Sequence, residues 1–455
     1  MKVYFYTLGC RVNQYETDAV RQVFIKEGYD IVDSPELADV CVVNTCTVTG
    51  EADRKSRQQL RKMARINPDA IICAMGCSTE LNEDFIDADV VCGTRDKHLI
   101  CEKIKDFIAS NKTKEHKGKL SEKTSLNEGF ADFGTVLSPE MSRAYIKVED
   151  GCNSFCTYCI IPYARGRVVS RDEESVLEEV RNVASKGIRE VCITGIHLCS
   201  YGKDRGEDIM SLYSLIHKVG SIDGVDRISL GSLEPKSLTD EFIKALSTEK
   251  KLCKHFHLSL QSGSDTVLKR MNRHYNTDEY YEITRKLREV FPDMSLTTDI
   301  ICGFPEETDE EFQETLEFVK KVGLNKVHVF PYSVRKGTKA ASMPQVPSDI
   351  AKERTRKLIA LSDELEKEFS KSFIGKNVDV MIEKIDFVDG VFELKGYTGE
   401  YVYSVIRKAE IDKDPKDMIG SVISGQGTGV EGTVLTVSPM ISDICRKIKK
   451  NCIET

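Results

Sequence analysis

A chain of 455 residues exceeds one ordinary domain and suggests two or three, and 40% hydrophobic with 30% charged residues describes a globular protein able to bury a sizeable core. No apolar run approaches the roughly twenty residues that span a membrane, and the start Met1-Lys2-Val3-Tyr4 lacks the layout of a secretory signal, so a cytoplasmic location is expected. The net charge of -8 argues against a generic nucleic-acid coat and leaves any RNA contact to local basic segments, while 16 cysteines in a reducing compartment point to metal or redox chemistry.

Short apolar strands at 3–7, 40–44, 70–75 and 90–91 alternate with helical patterns at 14–27, 52–65 and 98–109. This alternation predicts an open parallel sheet covered on both faces. Cys41, Cys73, Cys92 and Cys101 lie inside those apolar elements and read as small core residues. Cys10, Cys46 and Cys77 fall just past strand ends, where the loops of an open parallel sheet form its ligand crevice. Three thiols there can hold an iron-sulfur cluster with one iron left open; three unrelated loop cysteines are the alternative. Arg54, Lys55, Arg57, Arg61, Lys62 and Arg65 share one helix, either a solvated face or an RNA-phosphate contact. Residues 111–138, without apolar periodicity, read as a linker.

Strand then helix repeats from 143 onward, with strands at 143–149, 190–194, 227–230, 255–260, 295–301 and 326–330. Six such units predict a partial (βα)6 barrel with an open side and its active site at the C-terminal strand ends. The first strand runs into Cys152-Asn-Ser-Phe-Cys156-Thr-Tyr-Cys159, whose thiolates can wrap one face of an iron-sulfur cube and leave one iron without a protein ligand. A zinc knuckle would need a fourth ligand, and the nearest candidates, Cys192 and His197, lie on another strand. Arg165 and Arg167 follow directly, as surface groups or as guanidinium partners for a carboxylate or a phosphate. Cys192, Cys199, Cys253 and Cys302 show no ligand spacing.

Beyond Gly375 the texture changes to short strands at 377–385, 392–397, 401–406, 420–425 and 432–437, which predicts a small OB-like antiparallel β-barrel. Tyr397, Tyr401, Tyr403, Arg407 and Lys408 are candidates for RNA contact, with packing the alternative for the tyrosines. The last residues, 441–455, include a basic run.

The Cys152, Cys156, Cys159 spacing resembles that of the radical S-adenosylmethionine (SAM) enzymes. Leu8-Gly9-Cys10-Arg11-Val12-Asn13, Val43-Asn44-Thr45-Cys46-Thr47-Val48-Thr49 and Met75-Gly76-Cys77 resemble the N-terminal domain of their methylthiotransferase branch. Within it, residues 47–58 look most like enzymes acting on threonylcarbamoyl-adenosine beside the tRNA anticodon. The resemblance implies an α/β N-terminal domain with linker over 1–135, a radical SAM core over 139–368, a TRAM domain over 369–440 and a basic tail. It implies two [4Fe-4S] clusters, on Cys10, Cys46 and Cys77 and on Cys152, Cys156 and Cys159, and SAM held by Thr194, Gly195, Ser259, Gln261, Asp299 and Gly303. His197 stands where related sequences commonly carry Asn, and Glu306 where Gly is more usual. RNA contacts fall to Arg54, Arg57, Arg165, Arg167, Tyr401 and Arg407, and the partners implied are tRNA, an electron donor and a sulfur donor. The implied reaction inserts sulfur and a methyl group at carbon 2 of the adenine. The same chemistry on isopentenyl-adenosine or a ribosomal-protein aspartate, and a non-catalytic zinc-containing RNA-binding protein, are the alternatives.

Overall fold

The computed structural model describes residues 1–81, 84–85, 87–110, 118–119, 129–136, 142–411 and 414–440. The basic tail and most of the expected linker lie outside them. The N-terminal part runs β1 (Lys2–Thr7), α1 (Arg11–Lys26), β2 (Asp30–Ile31), β3 (Val40–Thr45), α2 (Gly50–Ile66), β4 (Ile71–Gly76), α3 (Cys77–Leu81), β5 (Asp84–Phe85), β6 (Val90–Cys92) and α4 (Ile100–Ala109). Five strands form a parallel sheet in the order β2-β1-β3-β4-β6, and β5 pairs separately with β7 (Gly118–Lys119). Every residue of β3 and β4 is buried, the near-continuous apolar pattern of a strand covered on both faces. Val20, Phe24, Ile100 and Ile104 of α1 and α4 cover one face, and Leu60 and Met63 of α2 the other. Cys41, Cys73, Cys92 and Cys101 sit in these layers as core residues.

The central part contains β8 (Arg143–Asp150), α5 (Ile161–Arg165), β9 (Val169–Ser170), α6 (Glu173–Ser185), β10 (Glu190–Gly195), α7 (Met210–Gly220), β11 (Arg227–Leu230) and α8 (Asp240–Leu246). It continues with β12 (His255–His257), α9 (Asp265–Arg270), α10 (Thr277–Val290), β13 (Ser295–Cys302), α11 (Asp309–Val322), β14 (Lys326–Pro331) and α12 (Ser348–Lys371). β8, β10 and β11 pair in parallel, as do β12, β13 and β14, and the parallel bridges Ile228↔Leu252 and Leu233↔Leu258 join the two sets. The arc β8-β10-β11-β12-β13-β14 therefore stays open between its ends, where no β8–β14 pairing exists among the described residues. The short β9 adds antiparallel to the outer edge of β8. Residues 129–136, expected to be linker, are docked on this core: Asp132 pairs with Arg171 at 2.8 Å and the Val136 amide donates to Glu179 at 2.8 Å. Apolar packing of Val136 and Phe133 on Tyr15 and Ala19 completes the docking.

The C-terminal part, β15 (Asn377–Val388), β16 (Val391–Tyr397), β17 (Tyr403–Lys408), α13 (Pro415–Met418), β18 (Val422–Glu431) and β19 (Val434–Pro439), closes into a barrel in the order β15-β16-β17-β19-β18. Four neighbour pairs are antiparallel, but β17 and β19 run parallel because the chain crosses the barrel between β17 and β18. This corrects the all-antiparallel expectation. Curvature this tight needs glycine: a Cβ on Gly396 would stand 1.7 Å from the Met381 carbonyl oxygen. Tyr401 is not on a strand but in the β16–β17 turn, with φ of +63°, and its ring is stacked between Tyr397 and His255 at 4.3 Å from each. The barrel thus docks on the central arc through a residue expected to face RNA, because stacking against His255 turns Tyr401 inward.

A buried ionic cluster joins the N-terminal sheet to the central arc. The Arg165 guanidinium, with no solvent exposure, donates to Glu16 at 2.9 Å, Asp150 at 3.1 Å and the Asn13 side-chain oxygen at 2.7 Å. Lys147 donates to Glu16 at 2.8 Å and Asp150 at 2.6 Å, and Lys97 also pairs with Glu16. Arg165 is therefore removed from the set of RNA contacts: its charge is spent between domains. Burial alone would raise the Glu16 carboxyl, but Arg165, Lys147 and Lys97 outweigh it and hold that group well below the ordinary carboxylate range. A carboxylate depressed in the fold contributes stability above its unfolded value, near pH 4, and loses it as pH falls toward the depressed one. Arg165→Met, which leaves two buried carboxylates short of a partner, is expected to lower unfolding free energy by about 3–5 kcal/mol at pH 7 in urea titration. The deficit should shrink as the pH is taken below 4; an unchanged stability would remove the cluster as the junction.

Candidate active site

β1, β3 and β4 are adjacent and parallel, so their C-terminal ends share one crest, and each is followed by a cysteine. Cys10 precedes α1, Cys46 follows β3 and Cys77 opens α3. Glycine makes the approach possible. A Cβ on Gly9, with φ of +110°, would stand 3.1 Å from the Cys46 Sγ; one on Gly76, with φ of +114°, would stand 2.6 Å from the Thr45 carbonyl oxygen. Burial first, with smaller contributions from Cys77 and Cys10, pushes the Cys46 thiol up to about 11 against a backbone hydrogen bond from Val48. Burial also raises Cys77, opposed by Arg165 and Lys97 of the ionic cluster.

The second set lies on the loop after β8. Gly151, with φ of +81°, admits no side chain, since a Cβ would meet the Arg167 carbonyl oxygen at 2.0 Å. The Cys156 Sγ accepts a hydrogen bond from Arg273 Nη1 at 3.1 Å, and the Cys152 Sγ one from the Ser154 amide at 3.5 Å. Burial first, and then Cys156, pushes the Cys159 thiol up to about 12. Thr157 ties the loop to the core, its amide donating to the Met271 carbonyl and its own carbonyl accepting from the Ala340 amide.

As the side chains stand, no three His, Cys, Asp or Glu groups among the described residues gather closely enough for a single metal ion. A cube spreads its ligands over separate irons, so each three-thiol set suits it better than mononuclear zinc. Donors aimed at Cys152 and Cys156 and the cations beside Cys77 match the negative charge that thiolates bring.

Beside the second set is a lined crevice. Glu149, buried at the end of β8, accepts from the His197 amide at 2.7 Å, while its Oε1 has no partner among the described residues. Burial pushes this carboxyl up to about 8 despite that hydrogen bond. A Cβ on Gly195 would sit 2.7 Å from Glu149 Oε2, so glycine is required at the end of β10. Glu234 links the groups, 2.7 Å from Arg273 and 3.7 Å from His197 Nε2, which itself lacks a hydrogen-bond partner among the described residues. An unanswered carboxyl beside two open strand ends fits a ligand ammonium such as that of SAM.

The other expected SAM residues divide. Thr194 is buried beside Gly195, and Ser259 and Gln261 follow β12, Gln261 at φ of +74° with its amide bonded to the Asp299 carbonyl. The Asp299 carboxylate is 3.4 Å from His257 Nε2 inside the arc. Gly303 packs instead on α12, where a Cβ would lie 2.5 Å from that of Ala351. Its glycine is required by helix packing. Glu306 takes φ of +63°, a backbone state that glycine suits.

Of the basic residues, Arg167 is exposed and lies 4.5 Å over the Phe155 ring. A cavity of about 470 Å3 next to it is lined by Cys156, Cys159, Lys269, Arg270, Glu306 and Lys339. α2 presents Arg54, Arg57, Arg61, Lys62 and Arg65 along one face; Arg54 pairs with Glu51, Arg57 with Asp53 and Arg61 with Asp87. Arg407 is committed to Glu393 and Glu431 at 2.8 and 2.7 Å.

Arg11, Glu16, Lys147, Glu149, Glu234 and Arg273 were not singled out from the sequence. One signal was available: Arg143, Tyr145, Lys147 and Glu149 alternate along β8, a polar line on a strand expected to be apolar.

Residues 146–319 match the Radical SAM superfamily, and residues 2–92 match a family described as uncharacterized protein family UPF0004. The chain is 40% identical over 387 residues to the threonylcarbamoyladenosine tRNA methylthiotransferase of Aquifex aeolicus (strain VF5), covering 84% of this chain and 93% of the relative. It is 38% identical over 431 residues to the Bacillus subtilis (strain 168) protein of the same name, covering 92% of each. To the tRNA-2-methylthio-N(6)-dimethylallyladenosine synthase of Caldicellulosiruptor saccharolyticus it is 34% identical over 407 residues, covering 87% and 85%. Among solved structures, the radical SAM methyltransferase TsrM from Kitasatospora setae superposes with a TM-score of 0.55 at 13% identity, over 75% of this chain and 74% of that one, a likeness of fold. The family implies SAM and a [4Fe-4S] cluster as cofactors. The chain belongs to the radical SAM methylthiotransferases and is most like their threonylcarbamoyladenosine tRNA branch.

Proposed function

We propose that this enzyme converts threonylcarbamoyl-adenosine beside the tRNA anticodon to its 2-methylthio derivative, with SAM and two [4Fe-4S] clusters. The observation that carries the reading is the pair of three-thiol sets at the C-terminal ends of two parallel sheets, locked together by the cluster around Arg165. Relatives bearing the threonylcarbamoyl name reach 38–40% identity against 34% for the dimethylallyl relatives, which favours the former substrate.

Bound cofactors supply reductive SAM cleavage, hydrogen abstraction and the transferred sulfur. The chain supplies placement. Cys152, Cys156 and Cys159 hold one cluster, Cys10, Cys46 and Cys77 the other, and Arg273 donates to the Cys156 sulfur. Glu149 receives the SAM ammonium between β8 and β10. Thr194, Gly195, Ser259 and Gln261 line the rest of that crevice, while the Asp299 carboxylate lies with His257 inside the arc. Arg167 over Phe155, with Lys269, Arg270 and Lys339 nearby, presents cation and aromatic surface to an unstacked loop. The α2 face and the OB-like C-terminal barrel extend the phosphate contacts. An electron donor and a sulfur donor complete the cycle in the cytoplasm.

Nucleoside analysis of tRNA from a deletion strain is expected to show threonylcarbamoyl-adenosine without its 2-methylthio form, restored by the gene; loss of the dimethylallyl derivative instead would assign the other branch. Protein purified without oxygen should carry roughly eight irons, halved by Cys10→Ala/Cys46→Ala/Cys77→Ala with SAM cleavage retained. Zinc without sulfide would leave an RNA-binding protein. Glu149→Gln should weaken SAM binding by about tenfold or more in equilibrium dialysis at unchanged iron content; undiminished affinity would remove Glu149 from the SAM site.

A further inference from the structure

Arg11 follows Cys10 directly and turns into the open arc. Its Nη1 lies 3.6 Å from the Cys192 Sγ, its Nη2 3.4 Å from the Tyr401 hydroxyl, and its guanidinium 5.6 Å from the centre of the Tyr145 ring. It makes no ion pair among the described residues. The other enclosed arginines here do: Arg143 with Glu190 and Glu383, Arg165 with Glu16 and Asp150, Arg171 with Glu179, Arg273 with Glu234. Glu383 lies in the field of Arg11 but is bonded to Arg143. A thiol and a phenol are weak company for a partly buried cation, and enclosed charges are ordinarily matched by an opposite one.

Tyr145, His257, Asp299, His328 and Tyr401, on the neighbouring strands and turn, are each only partly buried, and the Asp299 carboxylate lies 3.4 Å from His257 Nε2. Tyr401 is held by stacking in its positive-φ turn, so its hydroxyl stands fixed next to the guanidinium. The threonylcarbamoyl group on the adenine N6 ends in a carboxylate, whereas the dimethylallyl group ends in methyls. That carboxylate hangs only a few bonds from the ring that must stand beside the Cys10 set.

Resting on the function proposed above, we infer that Arg11 is the substrate-selecting residue, taking the threonyl carboxylate of the modified base in a forked guanidinium–carboxylate contact flanked by Tyr401 and Tyr145. The contact separates this substrate from an uncharged one, since a neutral side chain in the same space leaves the guanidinium unpaired.

The test compares binding of three tRNAs to the wild type and to Arg11→Gln and Arg11→Lys. One carries threonylcarbamoyl-adenosine, one its ring-closed form made by carbodiimide dehydration, which lacks the carboxylate, and one unmodified adenosine. Iron and sulfide are measured in each variant, because Arg11 adjoins Cys10. The wild type is expected to bind the open form about ten- to a hundredfold more tightly than the closed one. Arg11→Gln should lose that preference while binding unmodified tRNA as before, and Arg11→Lys should keep part of it. Equal wild-type affinity for open and closed forms overturns the assignment even if neither variant holds its clusters, as does an iron-replete Arg11→Gln protein that keeps the preference. A wild type that methylthiolates only a different base instead overturns the proposed function, and the assignment with it.

Discussion

Two three-thiol sets on two separate sheets can serve one reaction only if the distance between them is fixed, and the group that fixes it is the buried cluster of Arg165, Glu16, Asp150, Lys147 and Lys97. α1 contributes Glu16 and Asn13, six and three residues beyond Cys10; β8 contributes Lys147 and Asp150, the latter two residues before Cys152; α5 contributes Arg165. Each acid is shared by cations from different elements, so a shift of one sheet against the other would strand charge in a dry interior. An apolar interface of the same area would bind the sheets but permit sliding, because dispersion contacts are non-directional. Hydrogen-bonded ion pairs are directional, which suits a junction that sets register.

The same cluster acts electrostatically on the chemistry. Arg165 and Lys97 oppose the burial that raises Cys77, while Arg273 donates to Cys156 on the other side. Cys46 and Cys77 are buried, Cys10 is exposed and Cys152, Cys156 and Cys159 are partly buried, so each set has positive charge beside it and an open side, a combination suited to a thiolate–iron centre.

The alternation of short strands and helices, the six units of the arc and the position of both cysteine sets just past strand ends were legible because they depend on local periodicity and strand order. Residues whose meaning depends on a distant partner were not. Arg165 sits beside the cysteine loop and reads as a ligand contact, but its partners Glu16 and Asn13 lie about 150 residues upstream. Tyr401 reads as a strand residue by alternation, yet it occupies a turn at positive φ and stacks on His255 of another part of the chain. Gly303 fits a ligand turn by motif, but its missing side chain makes room for Ala351. Glu149 was assigned to the strand end without a role, since only the structure reveals that one of its oxygens is unanswered.

The inward position of Tyr401 changes what the C-terminal barrel is for. An appendage that only gripped RNA would keep its aromatic groups on the outer strands and could be tethered loosely. Here the barrel is held to the arc by the Tyr397–Tyr401–His255 stack and by Arg143 bridging Glu190 and Glu383. His255 in turn bonds Thr297, which also contacts His257 beside Asp299. The barrel therefore packs on the N-terminal end of the arc, opposite the strand ends that carry the cysteine loop. The place of the barrel against the arc is thus set by these stacking and ionic contacts and not by the length of a linker alone.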